Sequence, residues 1–322
     1  MTGCRGPAVA IALLCAALAT AGCGLGPGKG IGDVELTVTR DYGTVPVLHR
    51  QVGDVSESDT VMRVLEGNAD ISTRYGGGFV QSIDGLEAEE SVVRSLDWFF
   101  YVDGVEATVG AADYPLRGGE SVWWDYRDWG AAMRVPAVVG SWPQPFTGGY
   151  DGKRRPAVVE CLGGGEACAT ARARLRGAGA TVASGSPDGA IRVLVGPWAR
   201  LRRDPAAAQI EAGPQASGVF ADFRASGCNV LSACQGGKTL HRAAAGYVLR
   251  GLDEDGKPAR SFGADAGLVA ATRRYEDPPV WVVTGANAAG VEGAAGLLDA
   301  ADLRDHYAVA VEAGEETPLP LR

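Results

Sequence analysis

Histidine is scarce. The 322 residues hold three, His49, His241 and His306, far apart and with no G-x-S-x-G or H-E-x-x-H pattern beside them. No nucleophile–base–orienter set is visible, so hydrolase and metalloprotease chemistry lack support and no enzymatic activity is expected. Long basic clusters are missing as well. With 30 Lys and Arg against 39 Asp and Glu, the formal charge is −9, and nothing attracts a phosphate backbone; nucleic acid is not an expected partner. The glycines of residues 24–32 do not fit G-x-G-x-x-G and follow no strand, which excludes a dinucleotide loop. Gln235-Gly-Gly-Lys238-Thr239 resembles the end of a phosphate loop, but Ser232 stands where its first glycine belongs. Asp253-Glu-Asp255-Gly256 lacks the remaining ligands of a calcium loop and reads as an acidic turn. No C-x-x-C pair exists to favour a zinc site, and no cofactor is expected.

What is present describes an exported chain of two domains, 46% hydrophobic and 21% charged. Residues 1–22 read as a signal peptide: Arg5, an apolar run over 7–18 too short to span a bilayer, then small residues before Cys23. Thr20-Ala21-Gly22-Cys23 is similar to a bacterial lipobox, whose cysteine is acylated. Cys23 is therefore the expected lipidation site, and the lipid membrane an expected partner. An ordinary secretory signal with an incidental cysteine is the alternative. Residues 23–32 form a flexible tether, of which 24–32 reach about 17 Å. Among the later cysteines the short spacings favour Cys161 with Cys168 and Cys228 with Cys234, though three connectivities are possible.

The first domain, residues 33–133, is organised around 98–129, a stretch with four of the seven tryptophans. Two alternating apolar runs flank Asp103-Gly104, which supplies the positive φ angles of a type I′ hairpin turn. Over 121–127, Val122, Trp124 and Tyr126 share one face and Trp123, Asp125 and Arg127 the other. Upstream, 33–41 is a strand with its partner through His49. Ser58-Asp59-Thr60 caps a short helix of Val61, Met62, Val64 and Leu65, ended by Gly67-Asn68. A strand over 80–83 leads to an Asp84-Gly85 turn. The order β-β-α-β-β-β predicts an α+β fold, one helix across a mixed sheet, β-grasp-like.

Asp59-Thr60-Val61 leading to Leu65, Gly78-Phe79-Val80 with Ile83-Asp84-Gly85, residues 98–104, and 114–120 followed by Val122-Trp123 carry a resemblance. Over about residues 33–130 the chain resembles the transcobalamin-like C-terminal domain, or DUF4430, family. In vitamin B12 carriers this domain closes over one face of the corrinoid, so the resemblance implies cobalamin as a possible ligand. The helical barrel that holds the other face there has no counterpart here.

Residues 134–156, rich in proline, read as a linker or wrapping segment, apolar enough at Val138, Val139, Trp142 and Phe146 to lie on a surface. Residues 157–313 then alternate strands and helices, predicting a separate α/β sandwich domain. Strands are expected over 157–161, 181–183, 191–195, 219–223, 246–252, 280–284 and 307–311. Helices are expected over 166–176, 198–210 (interrupted by Pro205), 267–275 and 290–300. The turn over 284–290 needs glycine where backbone must approach closely, and 314–322 is a loose tail.

The aromatic surplus matters most for function. Half of Trp98, Phe99, Phe100, Tyr101, Trp123, Trp124, Tyr126 and Trp129 must point away from the helix-covered face. One reading makes that face a platform for a planar small ligand, with Tyr75, Gly77, Phe79, Gln81, Trp98, Tyr101, Trp123 and Tyr126 as binding residues. The protein is then an extracytoplasmic, membrane-anchored carrier, passing its ligand to a vitamin transporter. The other reading is a structural or protein-interaction module of the cell envelope, the rings covered by the second domain or by another envelope protein.

Overall fold

The computed structural model describes residues 28–91, 94–163, 165–185, 187–226 and 246–322. Cys23, Cys228, Cys234, the signal peptide and the 235–239 loop lie outside them. The fold is α+β, built mostly from several separate sheets with few helices.

The first half opens with β1 (Gly30–Arg40) and β2 (Val45–Ser56), then α1 (Val61–Glu66), β3 (Ile71–Arg74), β4 (Phe79–Ile83) and β5 (Leu86–Glu87). It closes with β6 (Glu89–Glu90), β7 (Ser95–Val102), β8 (Val105–Glu106) and β9 (Ser121–Asp128). The main sheet runs β2-β1-β9-β7-β6, with β8 on β7, and a small sheet holds β3-β4-β5. Only β1 and β9 are parallel neighbours there. Helix α1 forms where expected: the Thr60 hydroxyl accepts from the Arg63 amide at 3.3 Å, and Gly67 ends it. Its four apolar residues share a core with Leu36, Val38, Val122, Trp124 and Tyr126.

Both predicted turns are present, Asp84 (φ 47°) before Gly85 (φ 81°) and Asp103 (φ 52°) before Gly104 (φ 74°). Asp103 is also buried; its Oδ1 accepts from the Ser121 amide at 2.9 Å. Burial lifts its carboxyl well above the ordinary 3.8, against the Ser121 bond and with the charge of Glu120 adding to the rise. A raised carboxyl contributes stability that is full below 3.8 and lost as pH climbs through the folded value. Asp103→Asn keeps the acceptor and tolerates the positive φ. It should raise the thermal midpoint at pH 8, with the difference from the parent vanishing near pH 4; calorimetry at the two pH values checks this.

The second half begins with β10 (Ala157–Cys161), α2 (Glu166–Gly177), β11 (Ile191–Pro197), α3 (Trp198–Leu201) and α4 (Pro214–Ser217). Strands β12 (Ala221–Ala225), β13 (Tyr247–Leu252), β14 (Pro258–Ser261), β15 (Gly267–Thr272) and β16 (Val280–Gly285) follow. The chain ends with α5 (Ala288–Gly296), α6 (Ala300–Leu303), β17 (Ala308–Glu312) and β18 (Glu315–Leu319). Six strands form a sheet β10-β11-β16-β15-β17-β18, parallel over its first three members and antiparallel over the rest. Helices α2 and α5 cover one face; α3 and the 3-10 helix Ala207–Ala212 pack on the other. Glycine permits the close contact of α5 with the sheet, since a Cβ on Gly285 would lie 2.5 Å from the Gly290 carbonyl carbon.

Several sequence expectations change here. Residues 267–275, expected as a helix, contain β15, whose six residues are all buried. A strand buried on both faces has no polar stripe, so its apolar run cannot be told from a helix by period. The tail at 314–322 is not loose: Ala313 (φ 52°) and Gly314 (φ 84°) make a tight turn that pairs β18 with β17. The helix over 198–210 splits into α3 and the 3-10 turn around Pro205, and 181–183 makes only a bridge at Val182.

The 134–156 segment packs along its length through the four apolar residues expected to lie against a surface. Val138 joins one core, while Val139, Trp142 and Phe146 join another beneath α2 and α5. The ring-bearing face of the first sheet is closed by the chain itself: Tyr42, Tyr101 and Trp123 share a core with Tyr307, Phe220, Val135 and Val138. At Gly43 the halves meet so closely that a Cβ would overlap the Asp305 carbonyl.

Candidate functional site

Alternation along β7 and β9 divides the predicted binding residues between two faces. Trp98 and Tyr126 lie on the helix side, ring centroids 5.1 Å apart, and Tyr101 and Trp123 on the other, 5.6 Å apart. All four are less than 10% exposed. The expected open platform is therefore absent: one face is covered by α1 and the other by the second half.

The covered seam is polar at its centre. Asp125, fully buried, accepts from the Thr39 hydroxyl (2.6 Å), the Gly43 amide (3.1 Å) and the Tyr307 hydroxyl (2.9 Å). Tyr101 donates to the Tyr307 oxygen at 3.2 Å, and the Trp123 indole to Thr39 at 2.8 Å. Burial pushes the Asp125 carboxyl above its ordinary range; its three hydrogen bonds and Arg127 pull the other way. Arg127 is buried too, its guanidinium 3.7 Å from the Phe99 ring centroid and donating to the carbonyls of Ala132 and Met133. Asp125, Thr39, Tyr101, Trp123 and Tyr307 are bonded to one another within the seam, while the Arg127 Nε has no partner among the described residues.

Three predicted residues do line an open groove at the opposite edge of the sheet from β2. Tyr75, Phe79 and Gln81 wall a space of about 320 Å³ with Arg74, Ala88, Glu89, Glu90, Leu96, Asp97 and Trp129. The lip is set by backbone: Tyr75 (φ 53°), Gly76 (φ 75°) and Gly77 (φ 94°) turn the chain through left-handed conformations that glycine supplies at low cost. Tyr75 consequently stands 87% exposed, edge-on to Phe79 at 6.2 Å, and Phe79 is 38% exposed. Gly77 shapes the lip without lining the space.

Beneath the lip Gln81 is buried. Its Nε2 donates to Glu87 at 3.3 Å, while its Oε1 has no partner among the described residues. Asp97 is held above the usual carboxylate range by burial, against the bond from the Trp98 amide and the charges of Arg127 and Arg74. Trp98 and Tyr126 reach this site indirectly: the indole donates to the Leu86 carbonyl and the phenol to that of Glu87, fixing β5 beside Gln81. Trp129, Asp97, Glu89 and Glu90 were not among the predicted binding residues. Trp129 ends the aromatic stretch, which marked it; the acids carry no sequence signal beyond exposure.

His49 lies on edge strand β2, within 3.2 Å of the Thr37 hydroxyl. Among the described residues no group of three or more His, Cys, Asp or Glu is placed to hold a metal ion, and no helix is long and apolar enough to cross a membrane. Cys161 and Cys168 are joined by a disulfide.

No curated protein matches the chain. Among solved structures, that of a "putative metal binding protein" from Ruminococcus gnavus ATCC 29149 is 15% identical, covering 30% of this chain and 97% of its own, with a TM-score of 0.24. Residues 58–128, from the cap of α1 to the end of β9, match the family described as domain of unknown function DUF4430, and this part of the chain is a DUF4430 domain.

Proposed function

We propose that the protein is a membrane-anchored extracytoplasmic lipoprotein, tethered through acylated Cys23, that binds a small planar ligand at the Tyr75–Phe79 groove. The carrying observation is the lip itself: Tyr75 presents its ring to solvent over a partly apolar recess, while the main sheet's predicted ring pairs are covered. Two aromatic edges, a buried amide with a spare acceptor and the half-buried Trp129 suit a flat ligand with polar margins. The corrinoid class follows from the family resemblance, and delivery to a vitamin transporter from the membrane tether.

Titrating cyanocobalamin into the soluble chain that starts after Cys23 should quench tryptophan emission through Trp129, and Tyr75→Ala with Phe79→Ala should weaken binding at least tenfold, about 1.4 kcal/mol. No quenching at high micromolar cobalamin, with no heat by calorimetry, would contradict the corrinoid reading. The burial of Tyr101 and Trp123 against the second half favours one alternative, a structural or protein-interaction module of the envelope without a small-molecule ligand.

A further inference from the structure

The second half carries a disulfide whose surroundings differ from those of an inert staple. Cys161 is the last residue of β10, at the carboxyl end of the parallel strands β10, β11 and β16, where open α/β sheets place their ligands. It is exposed, and it lines a cleft of about 370 Å³ together with Gly163, Arg200 and Arg203. A third arginine touches the sulfur: Arg172 donates from Nη2 to Cys161 Sγ at 3.1 Å. The cleft also contains Glu160 and Asp204, but both carboxylates bond Arg192, at 2.6 Å each. Among the described residues neither Arg200 nor Arg203 forms an ion pair. The other sulfur belongs to Cys168, buried in the first turn of the twelve-residue helix α2. Amides at a helix start stabilise a thiolate there, and the one acid in that turn, Glu166, is exposed to solvent.

We propose that the Cys161–Cys168 disulfide is a thiol–disulfide exchange site that selects anionic thiols. The arginines draw an anionic thiolate into the cleft, where it attacks the exposed Cys161 sulfur. The new bond joins the incoming sulfur to Cys161, the Cys161–Cys168 bond breaks, and its electron pair leaves on Cys168 at the start of α2. A second thiolate attacks the incoming thiol's sulfur, releasing Cys161 as a thiolate beside Arg172. Two thiols are thereby oxidised to one disulfide, and the cysteine pair takes up two electrons.

The test uses the oxidised soluble chain, folded, with 2-mercaptoethanesulfonate, 2-mercaptoethanol and cysteamine as anionic, neutral and cationic probes. Acid quenching and peptide mass mapping follow the 161–168 disulfide separately from Cys228 and Cys234. Per thiolate, the sulfonate thiol should react at least about tenfold faster than cysteamine at low salt, and 0.5 M salt should erase most of that ratio. The Arg200→Gln/Arg203→Gln double variant, which leaves the Arg172 contacts in place, should bring the ratio close to one with an unchanged thermal midpoint. A disulfide that resists excess thiol until the protein is unfolded, or a charge preference unaltered in the double variant, overturns the proposal.

Discussion

Trp123→Ala should destabilise the folded protein by about 3–5 kcal/mol, the range for emptying a large aromatic site in a well-packed core. Trp123 is 1% exposed, its ring lies 5.6 Å from Tyr101 and 5.4 Å from Tyr307, and its indole N–H is held by Thr39. The cavity has little means of collapse, because both its walls are sheet-borne: β9 and β7 on one side, the residue before β17 on the other. The loss removes contacts that join the halves, so denaturant unfolding should change from one transition to two, the second half melting apart from the first. A single transition shifted by less than about 1 kcal/mol would show that the ring is not a seam residue.

Asp125→Ala should cost about 3 kcal/mol or more by a different route. The carboxylate takes bonds from three donors, on Thr39, Gly43 and Tyr307, drawn from both halves. Truncation leaves the Gly43 amide and the Tyr307 hydroxyl buried without an acceptor and Thr39 with only the long bond to the Trp124 carbonyl (3.4 Å), and each orphaned group carries a desolvation penalty of about 1–3 kcal/mol. Asp125→Asn keeps an acceptor and should lose much less. Combined with Trp123→Ala, the effects should fall short of their sum, since Thr39 serves both residues. Equilibrium unfolding of the three variants checks these expectations.

Local chemistry made the first half legible. Asp103-Gly104 and Asp84-Gly85 form the turns their residue types demand, Thr60 caps α1, and the alternation over 121–127 puts each side chain on its expected face. What covers Trp123 was open, because the cover is Tyr307, some 180 residues later, and no local pattern encodes docking over such a separation. For the same reason Asp125 and Arg127 read as part of a mixed face rather than as fully buried groups. β15 was obscured by burial on both faces, which removes the polar positions that mark a period. At the groove, Tyr75, Phe79 and Gln81 were legible from the glycine-rich lip; Glu89, Glu90 and Asp97 were not, since β6 and β7 bring them there only through sheet pairing.

A physical seam joins the two halves and leaves the lip groove as the open aromatic surface of the first sheet's edge. The most direct measurement is a double-mutant cycle between Asp125→Ala and Tyr307→Phe, side chains 2.9 Å apart across that seam. A hydrogen bond across the seam should give a coupling energy of at least about 1 kcal/mol between positions 182 apart in sequence. Additive effects, with coupling indistinguishable from zero, would contradict it.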